Sequence, residues 1–273
     1  MSPETVSPGT VVSIAQFAPG PDPEANRATV TGFVEQAAAR GSRLVLFPEY
    51  SSFFVHPLGE AFVQAAETLD GPFVTHLGQL ASKYAVHVVA GLVERVDDRQ
   101  RFSNTLVAVA PDGSVQATYR KQHLYDAFGA SESSWVVPGD LGKPQLFDLD
   151  GFRVGMQTCY DIRFPEVTRR LVDAGAELVL VPAEWVRGPL KEQHWSTLLA
   201  ARAIENTVFV AAADQSPPIG VGGSVILDPM GVALAGLGET PGLASATLSR
   251  ERLDAVRQLN PSLALRRYRV VER

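Results

Sequence analysis

The sequence has 273 residues, 45% hydrophobic and 20% charged, enough apolar material for a sizeable buried core. Its 24 Lys and Arg against 30 Asp and Glu leave a net charge of -6, which argues against a nucleic-acid surface, where a basic patch is needed. One cysteine excludes an internal disulfide and, with five histidines, a cysteine-rich metal site.

No apolar run approaches the length of a membrane span, and the N-terminus lacks a basic stretch followed by an apolar one, so a cytoplasmic protein without a signal peptide is expected. In chain order, Thr10 to Gln16 reads as a first strand. Residues 24–40, with Pro23 just ahead, read as a helix whose Val30, Phe33, Val34 and Ala37 recur at helical spacing, with Gly41 as its stop. Leu44 to Phe47 is a short apolar strand closed by Pro48. Residues 68–84 contain a second helix, and residues 86–92 form a third strand. Residues 102–110 and 115–120 flank the turn Pro111-Asp112-Gly113-Ser114 as a hairpin.

After the acidic turn around Asp148 and Asp150, residues 152–157 read as a strand. Pro165 and Glu166 suit the first turn of a helix that reaches about Ala174. A strand over 178–181, a helix over 191–206 and a strand over 208–213 follow. Residues 222–227 and 243–248 read as further strands, and residues 252–258 as a short helix. The frame G-x-x-L-V-L-x-P occurs twice, at Gly41 to Pro48 and at Gly175 to Pro182, each time after an amphipathic helix. Two similar halves are the stronger reading, although helix-Gly-strand-Pro is common grammar in α/β proteins. No linker separates the halves, so one domain over residues 1–273 is expected. Strands this apolar need cover on both faces. Helices on one face of each sheet would leave the other faces to pack together as an α-β-β-α sandwich; a single doubly wound sheet is the alternative.

Cys159 sits just past the end of a strand and ahead of a helix, where a side chain meets a cleft and a backbone N–H can face a developing anion. Its polar neighbours Thr158, Tyr160, Asp161 and Arg163 are unusual for a packed thiol, yet a lone cysteine is as readily a buried hydrophobe. Glu49 ends another strand, as either a solvated loop carboxylate or a base for the thiol. Lys121 stands in YRKQHLYD beside His123, Tyr125 and Asp126. Cys–His pairs are the commoner nucleophilic arrangement, which makes His123 the rival base. His87 and His76 read as structural, and His194, next to Trp195, as a possible pocket residue. Gly220 to Ser224 lacks the lysine of a phosphate loop, and no metal-ligand spacing is present.

At these residues the chain closely resembles the nitrilase, or carbon–nitrogen hydrolase, superfamily. Three blocks occur in order over nearly the whole chain: LVLFPEY around Glu49, YRKQHLYD around Lys121 and GMQTCYDIRFPE around Cys159. The resemblance implies the α-β-β-α sandwich, usually assembled as a homodimer through the face that carries the helix after the nucleophile. It implies Cys159 as nucleophile, Glu49 as general base, and Lys121 with the Tyr160 backbone N–H as the oxyanion site. Glu132, ahead of Pro138-Gly139, matches a second family glutamate that orients the lysine. No cofactor and no metal are implied; the partner is a small-molecule amide.

Cys159-Tyr160-Asp161 resembles the amidase branches, and YDAFGASES the deaminated-glutathione amidase and ω-amidase branches, which take short α-keto amides bearing a carboxylate. N-carbamoyl amino acids, aliphatic amides and nitriles are the alternative substrates, and an inactive binding protein of the same fold the alternative class. VPAEWVRGPLKEQHW looks like a pocket segment, so Trp185, Arg187, His194 and Tyr125 are the expected substrate contacts. Arg187 is the expected partner of a substrate carboxylate, and Arg163 is expected to pair locally with Asp161 or Glu166. Glu184 stands where the family commonly has alanine, and it could either pair locally or change which substrate charge is accepted.

Overall fold

The alternation of strands and helices builds two separate six-stranded sheets in the computed structural model, which describes residues 9–272. The first half supplies β1 (Thr10–Gln16), α1 (Pro23–Ala39), β2 (Leu44–Leu46), α2 (Glu60–Ala65), α3 (Pro72–Tyr84), β3 (His87–Arg95), β4 (Phe102–Val109) and β5 (Val115–Arg120). The second half supplies β6 (Phe147–Leu149), β7 (Phe152–Met156), α4 (Pro165–Asp173), β8 (Leu178–Ala183), α5 (Lys191–Asn206), β9 (Phe209–Asp214), β10 (Val225–Leu227) and β11 (Ala233–Gly236). The chain ends with β12 (Gly242–Leu248) and α6 (Arg250–Leu259).

The sheet orders are β12-β1-β2-β3-β4-β5 and β11-β10-β9-β8-β7-β6. Counted from β12 in one sheet and β6 in the other, successive neighbours are antiparallel, parallel, parallel, antiparallel and antiparallel in both. The repeated G-x-x-L-V-L-x-P frame therefore marks equivalent strands, β2 and β8. The two similar halves are real, and the single doubly wound sheet is excluded.

Side chains alternate across a strand, so each central strand feeds two cores. Leu44, Leu46, Val12 and Ile14 of one sheet meet Val154, Met156, Leu178 and Leu180 of the other in the layer between the sheets. The intervening Val45, Val88 and Ala90 pack under Val30, Val34, Phe73 and Leu77 of α1 and α3. Val179, Val181 and Val210 pack under Leu171, Val172, Leu199 and Ala203 of α4 and α5. The result is the expected α-β-β-α order.

α1 starts where Asp22 accepts from the Glu24 and Ala25 N–H groups and Pro23 needs no donor partner. The helix expected within residues 68–84 begins only at Pro72. Glu67 caps it by accepting from the Phe73 N–H, and Thr68 bonds Asp70 in the preceding turn. The strand expected over 222–227 is confined to β10, because Gly222 and Gly223 adopt φ of 70° and 65°. Short α2 and β6 and largely exposed β11 are additions to the sequence reading; none is long enough to show a period. Among the described residues no helix is long and apolar enough to cross a membrane.

Candidate active site

β2, β5, β7 and β8 run into loops that meet at one cavity of about 720 Å³. Glu49 follows β2, Lys121 follows β5, Cys159 follows β7 and Glu184 follows β8, and all four line it. Glu132, from a short 3₁₀ turn (Glu132–Ser134), completes the polar floor. Glu49, Lys121, Glu132 and Cys159 are between 1% and 6% exposed, so every charge among them needs a partner.

Lys121 Nζ lies 3.0 Å from Glu49 Oε1 and 2.9 Å from Glu132 Oε2. Asn104, on β4, donates its Nδ2 to Glu49 Oε1 and to Glu132 Oε1, the latter at 3.2 Å. Its own carbonyl accepts the Lys121 N–H at 2.9 Å, so one residue ties the lysine backbone to both carboxylates. Glu132 also accepts from the Tyr50 hydroxyl at 2.9 Å and from the Tyr125 N–H. The Glu184 N–H donates to Glu49 Oε2, and Gln215 Nε2 holds the Glu49 carbonyl at 3.0 Å. Gly91 on β3 makes room for this strand end, since a Cβ there would stand 2.7 Å from Glu49 Cα.

Burial works against the Lys121 ammonium, but the charges of Glu132 and Glu49 together lift its pKa well above the ordinary lysine value. Burial raises the Glu49 carboxyl, Lys121 and Asn104 draw it back, and Glu132 adds repulsion; the balance remains above the ordinary glutamate value. The Cys159 thiol is pushed well above its ordinary value, first by burial and then by the Glu49 charge. The site therefore holds a thiol kept protonated by burial, a neighbouring carboxyl whose own proton affinity is raised, and an ammonium clamped between two acids.

Cys159 opens a 3₁₀ turn (Cys159–Arg163) at φ 45°, a left-handed conformation rare outside glycine. Its thiol donates to the Glu184 carbonyl at 3.5 Å. Asp161, fully buried in the same turn, accepts from the Thr158 N–H at 3.2 Å, the Tyr119 hydroxyl at 2.7 Å and the His123 N–H at 2.9 Å. These bonds hold the loop that carries the cysteine. Tyr160 follows directly, and its N–H belongs to the first turn, where backbone donors lack intrahelical acceptors.

His123, the rival base, is turned away from the cavity. Its Nδ1 is 2.8 Å from Asp161 Oδ1 and its ring stacks on Phe164 at 3.8 Å. His194 likewise stands outside the cavity lining, with Nδ1 3.2 Å from Arg163 Nη2, which corrects its expected place as a substrate contact. Arg163 pairs with neither Asp161 nor Glu166. Instead it faces the rings of Trp185, Phe128 and Tyr160 at 4.9, 5.6 and 5.9 Å. Trp185 and Tyr125 do line the cavity. So does Arg187, but its guanidinium is held by Glu239 at 2.9 Å and lies 4.0 Å from Glu192.

Glu184 makes no ion pair among the described residues, and its buried Oε1 has no hydrogen-bond partner. Burial, with the Glu49 and Asp214 charges, pushes its carboxyl well above the ordinary range. Asn104 and Lys191 are the site residues that the sequence reading missed. A polar Ser103-Asn104-Thr105 run inside the strand FSNTLVAV was a visible signal for the first. Nothing in the sequence distinguished Lys191 from an exposed lysine at a helix start.

Residues 11–258 match the carbon-nitrogen hydrolase family. The chain is 37% identical over 258 residues to the deaminated glutathione amidase of Escherichia coli O157:H7, covering 94% of this chain and 97% of that one. Its fold superposes on the Caenorhabditis elegans NitFhit protein with a TM-score of 0.87 at 28% identity, over 96% of this chain and 66% of that longer one. It superposes on an amidase from Nesterenkonia sp. with a TM-score of 0.76 at 27% identity, over 94% of this chain and 96% of that one. In that structure, of a mutant enzyme, the acetamide moiety of fluoroacetamide is attached covalently to the active-site cysteine. The chain therefore belongs to the carbon–nitrogen hydrolase family, as an enzyme of the amidase side of the nitrilase superfamily.

Proposed function

We propose that this enzyme hydrolyses the carboxamide of a short α-keto amide that carries a carboxylate, such as deaminated glutathione or α-ketoglutaramate, through a thioester on Cys159. The observation that carries this reading is Lys121, a single buried ammonium shared by Glu49 and Glu132 in the cavity that Cys159 lines.

Glu49 takes the thiol proton as sulfur attacks the amide carbon, because the buried thiol is not ionised beforehand. Lys121 and the Tyr160 N–H stabilise the oxyanion, and Glu132 positions Lys121. Collapse breaks the C–N bond, and Glu49 returns its proton to the departing nitrogen, which leaves as ammonia. Water then attacks the thioester and Glu49 takes its proton. The carboxylic acid departs, and the proton passes back to sulfur. Trp185 and Tyr125 form walls of the acyl pocket. The 37% identity to a deaminated glutathione amidase supports the substrate class.

The reading also includes a homodimer, supported by Ile204, Met230, Val232 and Leu234, which are large apolar side chains left exposed near the end of α5, in the turn before β11 and on β11. An ammonia-release screen over α-keto amides, N-carbamoyl amino acids, simple amides and nitriles tests the substrate class. The α-keto amides should have the highest kcat/KM, and Cys159→Ala should release no ammonia and carry no acyl adduct by intact mass. Normal turnover by that variant would refute the thioester route, and a clear preference for another substrate class would refute the proposed one.

A further inference from the structure

We propose that Lys191, seated against Tyr125, Phe128 and Trp185 in the cavity wall, is the residue that binds the substrate's carboxylate, in place of the Arg187 expected from the sequence. This rests on the reading that the substrate carries a carboxylate.

Lys191 is only 4% exposed, yet its side chain reaches a wall of the cavity. Its Nζ lies 4.7 Å from the rings of Tyr125 and Phe128 and 4.9 Å from that of Trp185. Among the described residues its one side-chain hydrogen bond is to the Tyr125 hydroxyl at 3.0 Å. An ammonium carries three donors, so two remain without an acceptor. The other buried cations are neutralised: Lys121 by Glu49 and Glu132, and Arg202 by Glu205 at 2.9 Å. Lys191 has no carboxylate within 4.0 Å among the described residues. A buried ammonium with no counter-ion is costly unless a ligand supplies one. Burial accordingly pulls its pKa below the ordinary lysine value, and a bound carboxylate would reverse that.

The surroundings favour an anion over a cation. The aromatic faces attract the ammonium, and beyond the Tyr125 hydroxyl they offer it no oxygen. Arg163 also faces the Phe128 and Trp185 rings and adds positive potential. Glu184, the acid on the same cavity wall, has its carboxyl pushed well above the ordinary range, which weakens its pull on Lys191 and its repulsion of an anionic substrate. Arg187 is by contrast already paired with Glu239.

The test compares kcat/KM for matched amides with and without the charge: α-ketoglutaramate against its methyl ester, and an N-carbamoyl amino acid against its ester. Lys191→Met should reduce the carboxylate-over-ester ratio at least about tenfold, the loss of one charge-assisted contact. Arg187→Met should leave the ratio within about threefold of wild type. Lys191→Gln, compared at matched thermal stability, gives the same readout should the methionine variant fold poorly. A wild-type preference for the carboxylate in the carbamoyl pair alone, lost in Lys191→Met, would overturn the α-keto amide substrate and keep the Lys191 assignment. An unchanged ratio in both Lys191 variants, or no wild-type preference in either pair, would overturn the assignment.

Discussion

Replacing Lys121 with methionine removes the one cation that two buried carboxylates share while keeping a side chain of similar length. Glu49 and Glu132 then face each other across Asn104 with only neutral donors around them. Removing one member of a buried ion pair costs about 3–5 kcal/mol, or about two to three and a half powers of ten in the folding equilibrium. The cost depends on pH, and its sign follows from the Glu49 carboxyl, already raised by burial. Without Lys121 it loses the charge that draws it back and keeps the repulsion of Glu132, so it rises further. An acid with a raised folded-state pKa favours the native state below its unfolded value of 4.5, and that contribution is lost as pH rises through the folded value. The variant's deficit should therefore be smallest near the unfolded value and grow as pH rises above it. Urea unfolding of both proteins across that pH range measures it. Adding Glu132→Gln should recover about 0.5–3 kcal/mol as a coupling term. A deficit below about 1 kcal/mol, or one that is flat with pH, would refute the claim that Lys121 neutralises this pair.

Three further outcomes follow from the same geometry. Glu49→Gln should lower kcat/KM at least about a hundredfold. Wild-type kcat/KM should fall as pH drops through the raised Glu49 pKa, because the base must be ionised, and the variant should lose that acid limb in a pH–rate profile. His123→Ala should keep kcat within about threefold while losing about 1–3 kcal/mol of stability, since it bonds Asp161 and faces away from the cavity; a collapse of kcat without unfolding would reinstate it as the base. Gly91→Ala should cost about 1–3 kcal/mol in thermal or urea unfolding, because its Cβ would press on Glu49 backbone that cannot yield, and kcat should fall at least about tenfold as Glu49 moves.

Much of this was legible along the chain because it depends on local order. The uninterrupted apolar runs Leu44-Val45-Leu46 and Leu178-Val179-Leu180 determined strands buried on both faces, and the repeated frame around them determined two like halves. Glu49, Lys121 and Cys159 each lie within a few residues of a strand end, and three sequence blocks marked them. Strand ends are where side chains leave the sheet, so such positions can be read without the fold. Asn104 lay between Ser103 and Thr105 in an otherwise apolar strand as an uninterpreted signal.

What the tertiary structure decided is which charges are already paired. Along the chain Asp161 and Glu166 are the nearest partners for Arg163, yet it packs on aromatic rings brought from three separate segments. Arg187 and Lys191 are four residues apart and chemically alike in sequence, but Glu239 reaches only the first. Glu184 reads as an ordinary carboxylate in sequence, but burial beside Glu49 and Asp214 disfavours its charge in place. Pairing and desolvation depend on distances between residues far apart in the chain, and those distances exist only once the two sheets have packed.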